Sequence, residues 1–131
     1  MLNALIMAGP PGSKYFDIFL DYQISLVGKA NVEIFDEERF TLLLEIQKQG
    51  SLAAAADAMH ISYRKAWGLL HEAEQAIDFT LVEKQRGGKE GGRSDLTEEG
   101  KKLVAAYLEL RDEFDSAIYK ITKKFFHRLN E

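Results

Sequence analysis

The sequence predicts a mainly α-helical protein with small β hairpins, and three observations predict this fold class. Two short helices joined by a tight turn lie mid-chain, a glycine-rich hairpin with basic side chains follows them, and a long helix with a regular apolar stripe comes last. The 131 residues, 46% of them hydrophobic, suffice for one domain with a core. No apolar run approaches the roughly 18 residues that cross a membrane, which predicts a cytoplasmic protein.

The first segment, residues 1–13, combines a short apolar run with Gly, Pro and Ser, and this composition predicts a flexible tail. From Tyr15 onward, aromatic and β-branched residues alternate with aspartates, which predicts a half-buried strand. A turn-like stretch at 28–31 precedes a second β-prone run at 32–35. We therefore expect an N-terminal β hairpin over residues 15–35.

Three helices are predicted next. Asp36 suits the N-cap of a first helix over about 37–49, and Gly50 suits its end. Ser51 begins a short alanine-rich helix whose small side chains let another helix approach closely. After only two further residues, Ser62 caps a third helix that runs to about residue 77. Two helices joined this tightly predict a helix-turn-helix over residues 51–78.

The third helix separates an apolar face from a polar one. Helical spacing places one set of residues toward the core, namely Ala66, Leu69, Leu70, Ala73 and Ile77. The same spacing leaves another set outside, namely Tyr63, Arg64, Lys65, Gly68 and His71. Arg and Lys near the start of such a helix suit guanine edges or phosphates, and the helix starts at Ser51 and Ser62 suit phosphate oxygens. Trp67 flanks the apolar stripe, which favours packing over nucleic-acid contact.

The stretch over residues 81–96 predicts a β hairpin with a glycine-rich tip. Within residues 84–93, four basic residues against one acid give a local charge of +3, the basic residues being Lys84, Arg86, Lys89 and Arg93. Glycine lets a backbone approach a sugar-phosphate chain closely, and basic side chains suit phosphates or a minor groove. A merely flexible tip is the alternative, which the local charge disfavours. A basic hairpin after a helix-turn-helix is the wing of a winged helix.

Thr97 suits the N-cap of a last helix that runs to about residue 129. An apolar stripe recurs along it at nearly coiled-coil spacing. At about 1.5 Å per residue the helix is a rod of roughly 48 Å, longer than this core covers, so a second copy is the simplest partner. Packing on its own domain is the alternative. The predicted dimerisation residues are Leu103, Tyr107, Leu110, Phe114, Ala117 and Ile121, and Phe125 continues the stripe.

Charge and composition exclude several functions. The formal charge is −4, which argues against nucleic acid, yet residues 1–60 hold 4 basic and 8 acidic side chains whereas residues 61–131 hold 13 of each. The acidic total therefore predicts weak non-specific DNA binding rather than none. With no cysteine and three scattered histidines, the chain suits neither a metal nor a cofactor, and no nucleophile–base set suggests an enzyme.

From about Tyr15 to Phe114, the chain resembles the DNA-binding N-terminal domain of molybdate-dependent transcription regulators of the ModE type, which are similar to LysR-type winged helices. Two blocks carry the resemblance, GSLAAAADAMHISYRKAW over residues 50–67 and LVEKQRGGKEGGRSDLTEEGKKL over residues 81–103. The resemblance implies a winged helix-turn-helix over residues 14–97 and a dimerisation helix over residues 98–131.

It further implies a homodimeric transcription regulator that binds a pseudo-palindromic operator in double-stranded DNA. DNA contacts are implied at the matching positions Ser62, Tyr63, Arg64, Lys65, Arg86, Lys89 and Arg93. Members of this family bind molybdate in C-terminal domains, and we expect no molybdate site in this chain. The alternative is a protein-interaction module whose winged helix no longer binds DNA.

Overall fold

A computed structural model describes residue 12, residues 14–84 and residues 92–131. The chain forms two compact units, one over residues 25–107 and the other made of residues up to 24 together with residues from 108 onward. The fold class predicted from the sequence, mainly α with small β hairpins and a long last helix, is confirmed. The elements in chain order are β1 (Leu26–Val27), β2 (Glu33–Phe35), α1 (Glu37–Gln49), α2 (Leu52–Met59), α3 (Tyr63–Ile77), β3 (Val82–Lys84), β4 (Ser94–Leu96) and α4 (Glu98–Leu129).

The strands form two separate antiparallel pairs, β1 with β2 and β3 with β4. In the second pair, Val82 lies opposite Leu96 and Lys84 lies opposite Ser94. This pair is the hairpin that the sequence predicts as the wing. Its predicted contact residues Arg86 and Lys89 lie outside the described residues.

The predicted strand from Tyr15 is wrong. Residues 14–17 form a turn in which the Ile18 N–H donates to the Tyr15 carbonyl at 3.1 Å, and Asp17 has a left-handed φ of 71° that interrupts an extended chain. Phe16 and Ile18 are about half exposed, at 48% and 50%. The first hairpin is therefore confined to residues 26–35, because the alternation of aromatic and acidic residues does not by itself supply a partner strand.

Side-chain caps define the starts of the helices as predicted. Asp36, Ser51, Ser62 and Thr97 each accept a hydrogen bond from the backbone N–H three residues later, at 2.9 to 3.1 Å. α1 ends at Gly50, whose φ of 85° requires the left-handed region. These caps satisfy N–H groups that would otherwise lack partners at the helix ends.

The core of the unit over residues 25–107 joins α1, α2, α3 and the wing. Its largest fully buried side chains are Phe40, Leu42, Leu43, Ile46, Leu81 and Leu96, and the small side chains Ala55, Ala56, Ala66 and Ala73 are also buried. Side chains of alanine size let the helices approach closely. The predicted inward face of α3 is confirmed, since Leu70 is buried and Leu69 and Ile77 pack against the core.

Tyr107 lies in this core rather than on an open stripe. Its ring stacks on that of Phe40 with a centroid distance of 3.6 Å and an interplanar angle of 9°, and only 4% of it is exposed. Leu103 is partly buried against the same core. The prediction that Tyr107 is open to a partner chain is therefore wrong, because the first turns of α4 pack on their own domain, whereas the dimerisation role of Leu103 stays a prediction.

Arg39 connects α1 to α3. Its Nε donates to the Leu69 carbonyl at 3.1 Å, and its Nη2 lies 2.7 Å from the Glu72 carboxylate. Only 13% of the Arg39 side chain is exposed, so the pair with Glu72 is partly desolvated on the arginine side. The guanidinium thereby fixes the middle of α3 against α1.

Leu81 is the junction of α3, the wing and α4. Its N–H donates to Glu74 Oε2 at 2.7 Å, and its carbonyl accepts from the Thr97 N–H at 2.9 Å. A Cβ at Gly100 would overlap that carbonyl oxygen and stand 3.3 Å from its carbon. α4 therefore approaches the wing this closely only with glycine at position 100.

In the second unit, residues 14–24 contact the C-terminal half of α4. The Tyr22 hydroxyl donates to Asp115 Oδ1, and the Tyr15 and Phe126 rings lie 6.4 Å apart between centroids. Phe126 and Thr122 are buried. The chain that precedes the first hairpin is thus structured from residue 14, while most of the predicted tail lies outside the described residues.

We expect Gly100→Ala to lower the free energy of unfolding by about 1–3 kcal/mol, because the added methyl group overlaps backbone atoms that have no room to move. Gly68→Ala is the control, since a Cβ there meets nothing within 4 Å and alanine stabilises a helix by up to about 1 kcal/mol over glycine. Urea unfolding of both variants measures the difference. Equal stability of the two would contradict the packing described at Leu81.

Candidate nucleic-acid interface

The first turn of α3 carries exposed side chains on a rigid base. The Ser62 hydroxyl accepts from the Lys65 N–H at 3.0 Å, which starts the helix directly before Tyr63. Tyr63, Arg64 and Lys65 are all exposed, and Tyr63 retains 54% of its accessible surface. Because Ala66 is fully buried next to them, the helix presents these three residues outward as the sequence predicts.

The two basic residues of this turn differ in their surroundings. Lys65 Nζ lies 3.1 Å from Glu38 Oε2 on α1, and both side chains remain substantially exposed, at 52% and 38%. Exposed pairs of this kind contribute at most about 1 kcal/mol, so a phosphate or a base can take the place of Glu38 at small cost. Arg64 is exposed and makes no ion pair within the part of the chain that the structure describes.

The base of the wing lies beside the turn between α1 and α2. The Ser94 N–H donates to the Gly50 carbonyl at 2.8 Å, and the Arg93 guanidinium lies 3.8 Å from the position a Gly50 Cβ would occupy. Arg93 is exposed, and Ser51 follows Gly50 as the N-cap of α2. The structure thus brings two predicted DNA-binding residues, Arg93 and Ser51, close together at the start of α2, although they are distant in the sequence.

Glu74 positions the wing and was not predicted from the sequence. Its Oε2 accepts from the Leu81 N–H at 2.7 Å and from the Val82 N–H at 3.3 Å, while its Oε1 lies 3.4 Å from His71 Nδ1. Only 10% of the Glu74 side chain is exposed. Its carboxylate therefore holds the start of β3 against α3. Glu74 follows the inward-facing Leu70 by four residues, and this helical spacing could have predicted that Glu74 also faces inward.

A row of aromatic residues follows the outer face of α3. Tyr63, Trp67 and His71 are spaced four residues apart, and the Trp67 and His71 rings lie 3.9 Å apart between centroids. Trp67 is 49% exposed. The sequence favours a packing role for this residue, and the structure leaves half of its surface open to other contacts.

The described residues hold no group of three or more histidines and carboxylates that could bind a metal ion. Within those same residues, no helix is long and apolar enough to span a membrane.

Two helices in a tight turn, a third-helix face with exposed basic side chains and a β hairpin beside it define a winged helix-turn-helix domain. Residues 38–101 match the family of bacterial regulatory helix-turn-helix proteins of the lysR type. This part of the chain is a LysR-type helix-turn-helix domain. The resemblance inferred from the SYRKAW and glycine-rich blocks is thereby confirmed.

Two relatives illustrate the similarity in sequence. The molybdenum transport protein ModE of Azotobacter vinelandii is 34% identical over 95 residues, which are 72% of this chain and 34% of that protein. The DNA-binding transcriptional dual regulator ModE of Escherichia coli K12 is 37% identical over 86 residues, which are 65% of this chain and 33% of that protein. The chain thus spans about a third of the length of the curated relatives it matches.

Two solved structures share the fold. ArgP from Mycobacterium tuberculosis superposes with a TM-score of 0.52 at 19% identity, over 66% of this chain and 30% of that chain. The CbnR DBD, solved as a complex with DNA, superposes with a TM-score of 0.51 at 18% identity, over 64% of this chain and 94% of that one. At these identities the superpositions show a common fold.

Proposed function

We propose that this chain is a DNA-binding transcription regulator that acts as a homodimer on a pseudo-palindromic operator. The observation that carries the proposal is the exposed first turn of α3, where Arg64 has no partner ion among the described residues and Lys65 has a weak one. α3 lies in the major groove, where Arg64 and Lys65 meet guanine edges or phosphates. The name of the Escherichia coli relative, a DNA-binding transcriptional dual regulator, supports this proposal.

The wing contributes contacts to the phosphate backbone or the adjacent minor groove in this proposal. Arg93 at its base is exposed and lies beside the start of α2, where Ser51 offers a second phosphate contact. Contacts by Arg86 and Lys89 are proposed from the sequence alone. Together these residues give the interface a positive charge that the −4 total conceals.

Dimerisation is proposed through the second half of α4. Phe114, Ile121 and Phe125 are 46%, 56% and 50% exposed, and Leu110 and Ala117 lie on the same helical face. The buried residues Thr122 and Phe126 lie on a neighbouring face, so the open stripe is distinct from the surface that residues 14–24 contact. A second copy of the same helix would cover this stripe.

Removal of charge from α3 tests the DNA interface. We expect the double variant Arg64→Ala/Lys65→Ala to bind its selected duplex less tightly and with a shallower salt dependence, by about 0.9 in the logarithmic slope for each phosphate that is no longer neutralised. Selection from a random DNA pool at low salt supplies the duplex, and fluorescence anisotropy across a salt series measures the affinity. The recovered sequences also test whether two half-sites are related by symmetry.

Lys101→Ala/Lys123→Ala is the matched control, since it removes the same charge from two exposed positions on α4. It should leave affinity nearly unchanged. If no duplex is retained at low salt, the DNA proposal fails and the protein-interaction alternative replaces it. If both double variants lose equal affinity, the readout does not lie on α3.

Charges placed on the apolar stripe of α4 test the dimer. We expect Phe114→Glu/Ile121→Glu to be monomeric in sedimentation equilibrium, because it places two charges in the middle of that stripe. Leu108→Glu/Tyr119→Glu is the control, because these positions are similarly exposed, at 45% and 44%, but lie off the stripe. A dimeric Phe114→Glu/Ile121→Glu protein would place the interface elsewhere.

The response of DNA binding to molybdate is a separate question. The name of the Azotobacter relative refers to molybdenum transport, yet this chain matches only about a third of that protein. We propose that DNA binding by the 131-residue chain does not respond to molybdate. Affinity for the selected duplex measured with and without sodium molybdate should be equal, and a difference would indicate an oxyanion site in these residues.

A further inference from the structure

A groove of about 150 Å³ lies between the outer face of α3 and the base of the wing. Tyr63 and Trp67 line it from the helix, and Lys84 and Ser94 line it from the two strands. Lys84 and Ser94 lie directly opposite each other in the strand pair, so their side chains project from the same face of the hairpin. The helix wall of the groove thus carries exposed aromatic rings, and the strand wall carries a polar pair with one positive charge next to the apolar Val82.

The proposed docking of the domain determines what must pass through this space. α3 enters the major groove and the wing lies along the adjacent backbone or minor groove. One sugar-phosphate strand separates a major groove from the neighbouring minor groove, so that strand has to run between the helix and the wing. Among the described residues, the groove lined by Trp67 and Lys84 is an opening between α3 and the wing.

The chemistry of the two walls matches that occupant. Deoxyribose presents an apolar face that packs on an aromatic ring, and Trp67 offers a ring that is 49% exposed. A phosphate accepts hydrogen bonds from an ammonium group and a hydroxyl, which Lys84 and Ser94 provide. The tilted stacking of Trp67 on His71, at 3.9 Å, limits the motion of the indole before DNA arrives.

One acidic group also lines the groove, and its surroundings keep it from opposing a phosphate. Glu74 is 10% exposed, and its carboxylate accepts hydrogen bonds from the backbone N–H groups of Leu81 and Val82. Its second oxygen lies near His71 Nδ1 at 3.4 Å. The negative charge is therefore already solvated by the protein, whereas the Lys84 side chain is exposed.

We propose that this groove holds one phosphodiester of the strand that divides the two DNA grooves, with Trp67 against a deoxyribose and Lys84 and Ser94 on the phosphate. This inference rests on the proposed function and names the part of the DNA that occupies the site. Trp67 is then a DNA-contacting residue rather than a packing residue. Trp67 then contacts the DNA backbone and does not distinguish one base from another.

Trp67 is the single tryptophan of the chain, which makes the test direct. Acrylamide quenching of its fluorescence in the wild-type protein should decrease when the selected duplex is bound, because the strand covers the exposed half of the ring. Trp67→Ala should weaken binding about tenfold, the loss of one aromatic anchor in an interface. Phe79→Ala is the control, since Phe79 is 45% exposed and lies outside the groove, and it should bind as wild type.

A duplex series with a neutral methylphosphonate at each successive position of a half-site locates the phosphate. At one position the methylphosphonate should weaken DNA binding by the wild type but have little further effect on binding by Lys84→Met. The same methylphosphonate should weaken binding by Lys101→Met as much as it weakens binding by the wild type. Unchanged quenching on DNA binding, or wild-type affinity of Trp67→Ala, would overturn the inference. If the wild type binds no duplex at all, the proposed function itself fails. If Arg64→Ala/Lys65→Ala weakens binding but Trp67→Ala and Lys84→Met do not, only the groove assignment fails.

Discussion

The backbone of Leu81 is the constraint on which the arrangement of the winged domain depends. Its N–H is held by the Glu74 carboxylate of α3, and its carbonyl accepts from Thr97 at the start of α4. Its side chain is fully buried, and Gly100 lets the last helix pass over it. A single residue between α3 and β3 therefore determines where the wing begins and where α4 begins.

This junction has a direct consequence for the interface. Because Glu74 lies on the same helix as Arg64 and Trp67, holding the wing at Glu74 also fixes the distance between the wing and the face of α3. The aromatic row and the polar pair Lys84 and Ser94 then face each other across a groove. Recognition of this kind depends on the placement of a few groups, which agrees with a chain whose total charge is −4.

Local sequence signals predicted the helices well. Each cap residue proposed from the sequence, from Asp36 to Thr97, accepts the expected backbone hydrogen bond, because capping involves residues only three positions apart. The strand predicted from Tyr15 failed for the opposite reason, since a strand needs a partner that local pattern does not identify. Tyr107 was likewise assigned to an open stripe, because heptad spacing does not show which turns of a helix are covered by their own domain.

The sequence by itself determined the order of the elements, the inward and outward faces of α3 and the resemblance to LysR-type domains, since these follow from periodicity, capping and short motifs. Only the tertiary structure decided that Lys65 has a partner in Glu38, that Glu74 holds the wing and that Trp67 borders a groove. Ion pairs and grooves join residues that are distant in sequence, such as Trp67 and Ser94, and no local pattern encodes their separation. Their positions follow from packing of the whole core.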